Sequence, residues 1–482
     1  MKLLHKERVV LKLKLGVGKE EKGILDGQSR ICNWLYNTLV EKALELRKEF
    51  CQGQSAEIGK TLYTERGLRN LLPQIKEEKH FLKVVHSSPL KNTALRVSQA
   101  IQTHQKSKKG KRRGKIVNFP KFRSWKERWF SLLYDEPNKG FKVKEQQLIL
   151  SLGRGEDRKQ RSLILSLPEA YLLKDKNIRN LRISSEYQEY YAIFTIEKEL
   201  PAKKPISKII ALDPNHKNLS YGVDTEAKAI EITAPTWLKL VDKRIDEVKS
   251  KRDNCIKKAK KLPVLDQGKE TGKEYFLPSR RWKKYNDLLT QVQRKRREQT
   301  KTFMFTIAHS LYKIYDCVAI GDYVPNGQGI TTKMRRAMNN RSLLGRFKEV
   351  LSWVGKKSGK SFFEYEEKGT TRTCSCCHTI VEEGLTPSIR EWCCAGCKTI
   401  HHRDENSAIN GLRKVLRDFS TNSETIVSQV PGSGLALVKE RWAWCALPSG
   451  MHCILRGQGS DFFAAPRNFN KGVIALDQNL SS

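Results

Sequence analysis

Four cysteines in two Cys-x-x-Cys pairs are the feature that most constrains how this chain can fold. They are Cys374, Cys377, Cys394 and Cys397, and 16 residues separate the two pairs. Two knuckles that each present two thiolates can complete a tetrahedral zinc site, as in a zinc ribbon. Because such a closed site leaves no open position for a substrate, we predict a structural Zn²⁺ ion that fixes the backbone around it.

Neighbouring residues and the other cysteines bear on this prediction. The residues that could replace one of the four ligands are Cys376, Cys393, His378, His401 and His402. Redox chemistry or another metal cluster is the alternative use of such cysteines, but nothing else in the sequence indicates electron transfer. Of 12 cysteines, the six outside residues 374–397 are scattered singly. This distribution favours a metal site in a reducing compartment over a disulfide scaffold.

The charge balance indicates a polyanionic partner. Lys and Arg total 91 against 52 Asp and Glu, which gives a formal net charge of +39. An unpartnered monomer would repel itself at this charge, and a bound polyanion would relieve the repulsion. The chain also holds 9 Trp, 17 Phe and 14 Tyr among its basic residues, which suits base stacking and backbone contact better than a solvated tail. Nucleic acid is therefore the expected partner.

The sequence contains no pattern typical of export or membrane insertion. Its first residues alternate apolar and basic side chains and lack the apolar core of a signal peptide. No run approaches the roughly 18 apolar residues that cross a bilayer. We therefore expect no membrane partner and a cytoplasmic location, associated with the nucleoid of a prokaryotic cell.

The N-terminal part combines strand patterns with helical ones. Residues 9–15 alternate apolar and basic side chains, as in a half-exposed strand, and strand-like sequence with frequent turns continues to about residue 198. Residues 28–48 and 90–105 instead carry apolar side chains at helical spacing. We predict a β-rich domain of residues 1–25 and 120–203, with a helical domain inserted at residues 26–119.

Beyond Pro201–Pro205, the order of elements is that of an RNase H-type α/β fold. Three strands, a long helical region over residues 237–315, a strand, a helix and a strand follow one another. The cysteine segment is inserted before a terminal helix that starts near Asp404. We therefore predict a multidomain α+β protein whose second domain covers residues 204–370 and 400–416, with a zinc ribbon at 371–399. Residues 417–482 show neither period clearly, and we expect a poorly ordered tail.

Three acids in this domain are candidates for catalysis. Asp213 ends the first predicted strand, Glu367 ends the last, and Asp404 starts the terminal helix. Hydrolysis of a phosphodiester with two Mg²⁺ ions about 4 Å apart needs several acidic side chains that converge on one point. Each acid also has a plain alternative as a strand-end turn, a solvated acid or a helix cap.

Two basic segments are candidates for nucleic-acid contact. Residues 106–122 contain no acid, although a flexible solvated loop is an equal alternative there. Residues 251–301 carry 17 Lys or Arg against six acids, with an apolar helical stripe on one side. The residues predicted to contact nucleic acid are Lys108, Lys109, Lys111, Arg112, Arg113, Lys121, Arg123, Lys257, Lys258, Lys260, Arg280, Arg281, Arg294, Arg296 and Arg297.

Four stretches of the chain have counterparts in one known family. They are residues 118–124 (NFPKFRS), 211–219 (ALDPNHKNL), 371–374 (TRTC) with the second cysteine pair, and 403–410 (RDENSAIN). Through them, residues 1–416 resemble TnpB, a family of transposon-encoded RNA-guided DNA endonucleases related to the miniature type V CRISPR effectors. The resemblance implies a wedge-like β-rich domain, a helical recognition domain and a RuvC-type nuclease domain. Further matching positions are Asn218, Arg403 and Asn410.

The middle acid of the family's Asp-Glu-Asp triad is where this sequence departs from its relatives. Relatives commonly end the fourth strand of the nuclease domain with Glu, whereas this chain has Gly321 followed by Asp322. Some members supply a Glu from the strand before the zinc ribbon, and Glu367 matches that position. Because side chains alternate between faces of a strand, Asp322 is not a simple replacement. The resemblance thus implies Asp213, Glu367 and Asp404, with Asp322 in reserve.

The resemblance also implies the partners and the activity. A transposon-derived guide RNA would pair with one strand of double-stranded target DNA, and the protein would act as a monomeric ribonucleoprotein. The leading hypothesis is a guide-RNA-dependent DNA endonuclease that uses two Mg²⁺ ions. Two alternatives stay open: a guided DNA-binding protein that no longer cuts, which Gly321 motivates, and a guide-independent nuclease or transposition accessory protein.

Overall fold

The chain divides into two units, Met1–Glu199 and Leu200–Ser482, beside the predicted boundary at Pro201–Pro205. Each unit has its own hydrophobic core. The computed structural model describes residues 6–53, 55–112, 116–123, 129–154, 159–187, 189–215, 218–257, 259–266, 269–323, 331, 342–382, 385, 389–421, 438–446 and 452–457.

The first unit combines helices with two antiparallel sheets. Its helices are α1 (Lys19–Gly53), α2 (Ala56–Tyr63), α3 (Leu72–Glu78) and α4 (Ser87–Lys108). Its strands are β1 (Lys6–Leu15), β2 (Ser131–Tyr134), β3 (Phe141–Lys144), β4 (Gln147–Arg154), β5 (Gln160–Ser166), β6 (Asn177–Glu186) and β7 (Glu189–Glu199). The sheet orders are β1-β7-β6-β2 and β3-β4-β5. The two helical patterns seen in the sequence fall within α1 and α4, which extend further at both ends.

The second unit is built on a mixed seven-stranded sheet. Its order is β14-β13-β8-β9-β10-β17-β18, and β8, β13 and β14 run parallel. These strands are β8 (Ile209–Pro214), β9 (Ser220–Asp224), β10 (Lys228–Ile232), β13 (Cys317–Gly321), β14 (Ser361–Tyr365), β17 (Val438–Ala446) and β18 (His452–Gly457). The helices are α5 (Thr236–Lys257), α6 (Arg280–Ile314), α7 (Leu344–Ser358) and α8 (Arg403–Thr421), and the remaining strands are β11 (Lys261–Asp266), β12 (Lys269–Phe276), β15 (Glu391–Cys393) and β16 (Ile400–His402).

Helices cover both faces of this sheet, and strand alternation decides which side chains meet them. Ile210 and Leu212 of β8 lie in the core with α6 and α7, whereas Ile209 and Ala211 lie in the core with α8. Successive side chains of a strand point to opposite faces, so Asp213 continues the α8 side. The sequence of β8 therefore directs this acid toward the helix that carries Asp404.

The helical region expected at residues 237–315 is interrupted in the structure. Two helices, α5 and α6, are joined through a hairpin in which β11 pairs antiparallel with β12. Pro263 in β11 has no backbone N–H and cannot continue a helix interior. The helices pack side by side, and Arg296 of α6 forms an ion pair with Asp242 of α5 at 2.5 Å.

The segment expected to be a poorly ordered tail forms the end of a helix and two strands of the sheet where the structure describes it. Helix α8 continues to Thr421, beyond the predicted end at residue 416. Strand β17 then pairs in parallel with β10, with Trp442 opposite Ile232, and β18 pairs antiparallel with β17. The expectation for residues 417–482 therefore differs from the structure at 417–421, 438–446 and 452–457.

Burial and ion pairs account for the position of β17. Trp442 has 0% of its surface exposed and lies in the core that α6 and α7 share. Glu440 pairs with Lys228 at 2.7 Å, and Arg441 pairs with Glu231 at 2.6 Å. Both partners lie in β10, about 210 positions earlier in the sequence. The local sequence pattern of the tail does not reveal a pairing partner that is so distant along the chain.

We expect Trp442→Ala to destabilise the second unit by about 3–5 kcal/mol, because it removes a fully buried aromatic side chain. The matched control is Val438→Ala on the same strand, where the side chain is 52% exposed and the loss should be small. Urea or thermal unfolding of the full chain measures the difference. Equal stability of the two variants would contradict the burial of Trp442.

Candidate active site and metal centre

The three acids predicted from the sequence lie at one edge of the second unit's sheet. Strands β8, β13 and β14 run parallel, so their carboxyl ends share an edge. Asp213 lies in β8, Glu367 follows β14 by two residues, and Asp404 lies in the first turn of α8. Asp213 and Asp404 are only 6% and 7% exposed.

Asp213 and Glu367 form a hydrogen-bonded carboxyl pair. The pKa of Glu367 is raised to about 7, chiefly by burial, and the nearby negative charge of Asp322 contributes in the same direction. Burial also raises the pKa of Asp213 well above its usual range, and the negative charges of Glu367 and Asp404 act in the same direction. Two buried acids in contact favour sharing a proton, unless a cation offsets their charge.

Helix α8 supplies a hydroxyl that fixes Asp213. The Ser407 hydroxyl donates to Asp213 Oδ1 at 2.7 Å and lies 3.0 Å from the Thr370 hydroxyl. Thr370 donates in turn to the carbonyl oxygen of Glu367 at 2.8 Å. Ser407 and Thr370 are each only 1% exposed. The two hydroxyls are thus in contact with each other, and each donates its one proton to a different acid residue: Ser407 to the side chain of Asp213, and Thr370 to the main chain of Glu367.

Asp404 has partners of its own. Arg390 Nη1 lies 2.9 Å and 2.8 Å from its two carboxylate oxygens, and Asn215 Nδ2 donates to Oδ2 at 2.7 Å. Arg390 precedes β15 by one residue and belongs to the cysteine segment. Sequence reasoning missed Arg390, Asn215 and Ser407. The motif RDENSAIN contains Ser407 and so offered a signal for that residue, whereas no pattern singled out Arg390.

Gly321 and Asp322 take different positions relative to the acids. A Cβ atom at Gly321 would lie 3.1 Å from Cδ of Pro214 and 3.4 Å from both Cγ and Cδ of Glu367, so a side chain at this position would contact this glutamate directly. Asp322 is the next residue of the chain, and its Oδ1 accepts a hydrogen bond from the backbone N–H of Glu367 at 3.0 Å. The structure therefore places Glu367 beside Gly321 and Asp213, and the Asp322 carboxylate against the main chain of Glu367.

The four predicted cysteine ligands form one cluster. The sulfur atoms of Cys374, Cys377, Cys394 and Cys397 all lie within 4.8 Å of one another. A tetrahedral zinc site with Zn–S bonds of about 2.3 Å needs sulfur atoms about 3.8 Å apart. Two of the observed separations are 3.6 Å and 3.5 Å. The cluster could therefore hold a zinc ion. Within the described part of the chain, these four cysteines are the group of His, Cys, Asp or Glu side chains whose ligand atoms are close enough together to hold a metal ion.

The two halves of the cysteine cluster repeat the same backbone turn. His378 and Lys398 both have positive φ, at 65° and 59°, and each donates its N–H to the carbonyl of the first cysteine of its pair. The Thr399 hydroxyl lies 3.2 Å from Cys397 Sγ, and hydrogen bonds to Thr399 lower the pKa of Cys397 to about 5. A lowered thiol pKa favours the thiolate that binds metal.

The five residues considered as substitute ligands lie outside the cluster. The nearest contact is that of His401, whose Nε2 is 3.0 Å from Cys374 Sγ and whose ring stacks on Trp392 with centroids 4.8 Å apart. The thiol of Cys393 points to the carbonyl oxygen of Lys398 at 3.5 Å. The remaining three candidates are Cys376, His378 and His402.

Two asparagines of α8 hold the segment that connects Glu367 to the first cysteine pair. Asn406 accepts from the N–H of Ser375 at 2.8 Å and donates to the carbonyl of Thr373 at 2.8 Å. Asn410 donates to the same carbonyl at 2.7 Å and to the Thr370 carbonyl at 2.9 Å. The cysteine cluster and the acids are therefore anchored to the same helix.

The predicted nucleic-acid contacts differ in exposure. Most of those described are exposed, whereas Arg123, Arg294 and Arg296 are partly buried. The guanidinium of Arg123 lies 3.7 Å from the ring centroid of Tyr36 and donates to Asn33 at 2.7 Å, while its backbone pairs with the Asn37 amide. Arg123 therefore anchors residues 118–123 to α1. Arg113 and Lys258 lie outside the described residues.

In the part of the chain that the structure describes, no helix is long and apolar enough to cross a bilayer.

Comparisons with known proteins agree with these observations. A family model described as Cas12f1-like, TNB domain, matches residues 345–411, which include Glu367, Asp404 and the four cysteines. The TnpB-like proteins L79 and L770 of Acanthamoeba polyphaga mimivirus are each 30% identical to this chain over 151 residues. The match covers 30% of this chain and 28% of each relative, so the chain matches under a third of their length.

A solved structure resembles this chain over most of its length. The cryo-EM structure of a Cas12f1–sgRNA–target DNA complex is 13% identical and has a TM-score of 0.53, covering 82% of this chain and 83% of that chain. At this identity the match shows a shared mixed α/β multidomain fold. The matched TNB domain and the TnpB-like relatives show similarity to the TnpB family over part of the chain, and the solved structure shows a similar fold. This confirms the resemblance found in the sequence.

Proposed function

We propose that this protein is an RNA-guided DNA endonuclease that hydrolyses phosphodiester bonds at Asp213, Glu367 and Asp404. The observation that carries the proposal is the meeting of these acids at the carboxyl edge of β8, β13 and β14. The Cas12f1 complex contains sgRNA and target DNA. A net charge of +39 suits the same partners here, a transposon-derived guide RNA and double-stranded target DNA bound by a monomer.

The chemistry of the three acids suits Mg²⁺. This ion prefers carboxylate oxygens, and buried carboxyls with raised pKa values gain most from a nearby cation. Asp213, Glu367 and Asp404 would hold two Mg²⁺ ions, which would polarise the scissile phosphate and activate a water molecule. Ser407 orients Asp213, while Asn215 and Arg390 orient Asp404.

Arg390 has a second role in this proposal. Its guanidinium balances the charge of Asp404 and also borders an open cavity of about 640 Å³ that includes Tyr221 and Lys439. Guanidinium groups bind phosphate oxygens through paired hydrogen bonds. Arg390 would therefore contact the DNA strand as it approaches the acids.

The remaining parts of the chain take the roles expected from the sequence. Residues 204–370 and 400–416 would form the RuvC-type nuclease domain, completed by residues 417–421, 438–446 and 452–457 of the same helix and sheet, and residues 371–399 would form a zinc ribbon that fixes the acids. Residues 1–25 and 120–203 form the wedge-like domain, and residues 26–119 form the recognition domain. The exposed basic side chains among the 15 predicted contacts bind the RNA and the guide–target duplex.

The proposal is tested first by asking whether activity depends on bound RNA. The protein should copurify with RNA, and it should cut DNA that matches a segment of this RNA when Mg²⁺ is present. Treatment with ribonuclease should abolish cleavage. Cleavage that survives this treatment would instead indicate a guide-independent nuclease, and guided binding without cleavage would indicate a DNA-binding protein.

The response of stability to Mg²⁺ should depend on pH. Burial raises the pKa of Glu367 from 4.5 to about 7, so the folded state retains a proton that the unfolded chain releases. The free energy of unfolding of the metal-free protein therefore falls as pH rises through this window and stays low above it. Because Mg²⁺ offsets the negative charge of the ionised buried carboxylates, its addition should raise the melting temperature more at about pH 8 than at about pH 5.

Glu367→Gln is the control for this pH effect. It removes the titrating group, so the difference between the two pH values should shrink. An equal rise in melting temperature at both pH values in the parent protein would contradict the assignment of these acids as the Mg²⁺ site.

A further inference from the structure

The pairing of β13 with β14 ends in an unusual way. In a pair of parallel strands, a residue hydrogen-bonds to the two residues that flank the one opposite it: its N–H donates to the carbonyl of the preceding residue, and its carbonyl accepts from the N–H of the following residue. Residue 322 is opposite residue 366, so its flanking residues are Tyr365 and Glu367. Asp322 donates its N–H to the Tyr365 carbonyl at 3.0 Å, as this pattern requires. The N–H of Glu367 is then bound at 3.0 Å by Oδ1 of Asp322. A side-chain oxygen takes the place that a backbone carbonyl has in a regular ladder.

Strand alternation separates Asp322 from the acids. Cys317 and Ala319 of β13 lie in the core on the α8 side, whereas Val318 and Ile320 lie in the core with α6 and α7. Gly321 continues the set on the α8 side, and a Cβ atom added at this position would contact the side chain of Glu367. Asp322 continues the second set.

This geometry gives Asp322 a specific task. Glu367 lies beyond the last residue of β14, so the ladder itself no longer fixes its backbone. The backbone N–H of Glu367 is fixed by its hydrogen bond to Oδ1 of Asp322, and the Glu367 side chain packs against Gly321, where no side chain is present. The negative charge of Asp322 is not needed for this bond, since any side-chain carbonyl oxygen can accept it.

We propose that Asp322 is a positioning residue, which fixes the main chain of Glu367 through its carboxylate oxygen, and that it is not a ligand of the catalytic metal. The proposal deepens the proposed function, because it assigns the middle ligand to Glu367 alone. It also explains how a chain with glycine at position 321 keeps an ordered acid: the acid comes from β14 and its anchor comes from β13.

Two substitutions at position 322 separate positioning from ligation. Asp322→Asn keeps the accepting oxygen and loses the charge, so guided cleavage and its Mg²⁺ dependence should stay within about 3-fold of the parent. Asp322→Ala loses the acceptor and should raise the Mg²⁺ concentration for half-maximal cleavage by about 10-fold. Loss of cleavage in Asp322→Asn to the level of Glu367→Gln would overturn the proposal, as would parent-like behaviour of Asp322→Ala.

Amide hydrogen exchange provides a readout that does not need activity. The Glu367 amide should exchange faster in Asp322→Ala than in the parent, and Asp322→Asn should restore its protection. Unchanged exchange in Asp322→Ala would overturn the inference even if the parent proved unable to cut DNA. Conversely, an inactive parent with the expected exchange pattern would contradict the proposed function and leave the positioning role of Asp322 supported.

Discussion

Replacing Asp213 or Asp404 by Asn is expected to reduce guided DNA cleavage to background while RNA binding stays intact. Each change keeps the size of the side chain but removes a negative charge that Mg²⁺ needs. Asp213 is almost fully buried and is held by Ser407, so the amide can remain in place without disturbing the fold. Cleavage of a matched plasmid and RNA retention on a sizing column measure the two properties.

The matched control is Glu366→Gln. Glu366 is exposed and precedes Glu367 directly in the sequence. Because successive side chains of an extended segment point to opposite faces, its carboxylate is expected to point away from the three candidate catalytic acids. It should cut DNA at a rate near that of the parent. Undiminished cleavage by both Asp213→Asn and Asp404→Asn would remove these residues from the mechanism.

Loss of the zinc ligands should have the second largest effect. Cys394→Ser removes a buried thiolate, and structural zinc contributes about 10–16 kcal/mol to the folding of small zinc domains. Asn406 and Asn410 tie the cysteine segment to α8, so its unfolding should release the connection between Glu367 and Asp404. We therefore expect the variant to lose bound zinc and guided cleavage but to keep RNA.

Cys393→Ser is the control for the zinc prediction. It changes a neighbouring exposed cysteine whose thiol lies outside the four-sulfur cluster. Zinc content, measured by elemental analysis, and cleavage should both match the parent. A zinc-free Cys394→Ser protein that stays folded and cuts fully would show that the ribbon does not position the acids.

Local patterns made much of this site predictable. The Cys-x-x-Cys spacing fixes two equivalent turns within a few residues each, so the four-sulfur cluster follows from the sequence alone. The apolar alternation of β8 likewise determines the face that Asp213 occupies. Signals of this kind depend on neighbours in the chain, and they can be read without knowing the fold.

Long-range partners were the part that the sequence did not reveal. Asp404 meets Asn215, 189 positions away, and Ser407 meets Asp213, 194 positions away. Arg390 lies in a loop with no periodic signal, although it contacts Asp404 directly. Strand β17 presents the same difficulty, since its pairing with β10 spans about 210 positions. Such contacts depend on the assembled sheet rather than on any local pattern.

Recoding the guide is the measurement that tests the central claim most directly. The RNA that copurifies with the protein is sequenced, its guide segment is replaced by an unrelated sequence, and two plasmids matching the old and new guides are offered in Mg²⁺. The account predicts that cleavage moves entirely to the plasmid matching the new guide and disappears with Asp213→Asn. Cleavage of both plasmids, or of neither while the protein binds its RNA, would contradict it.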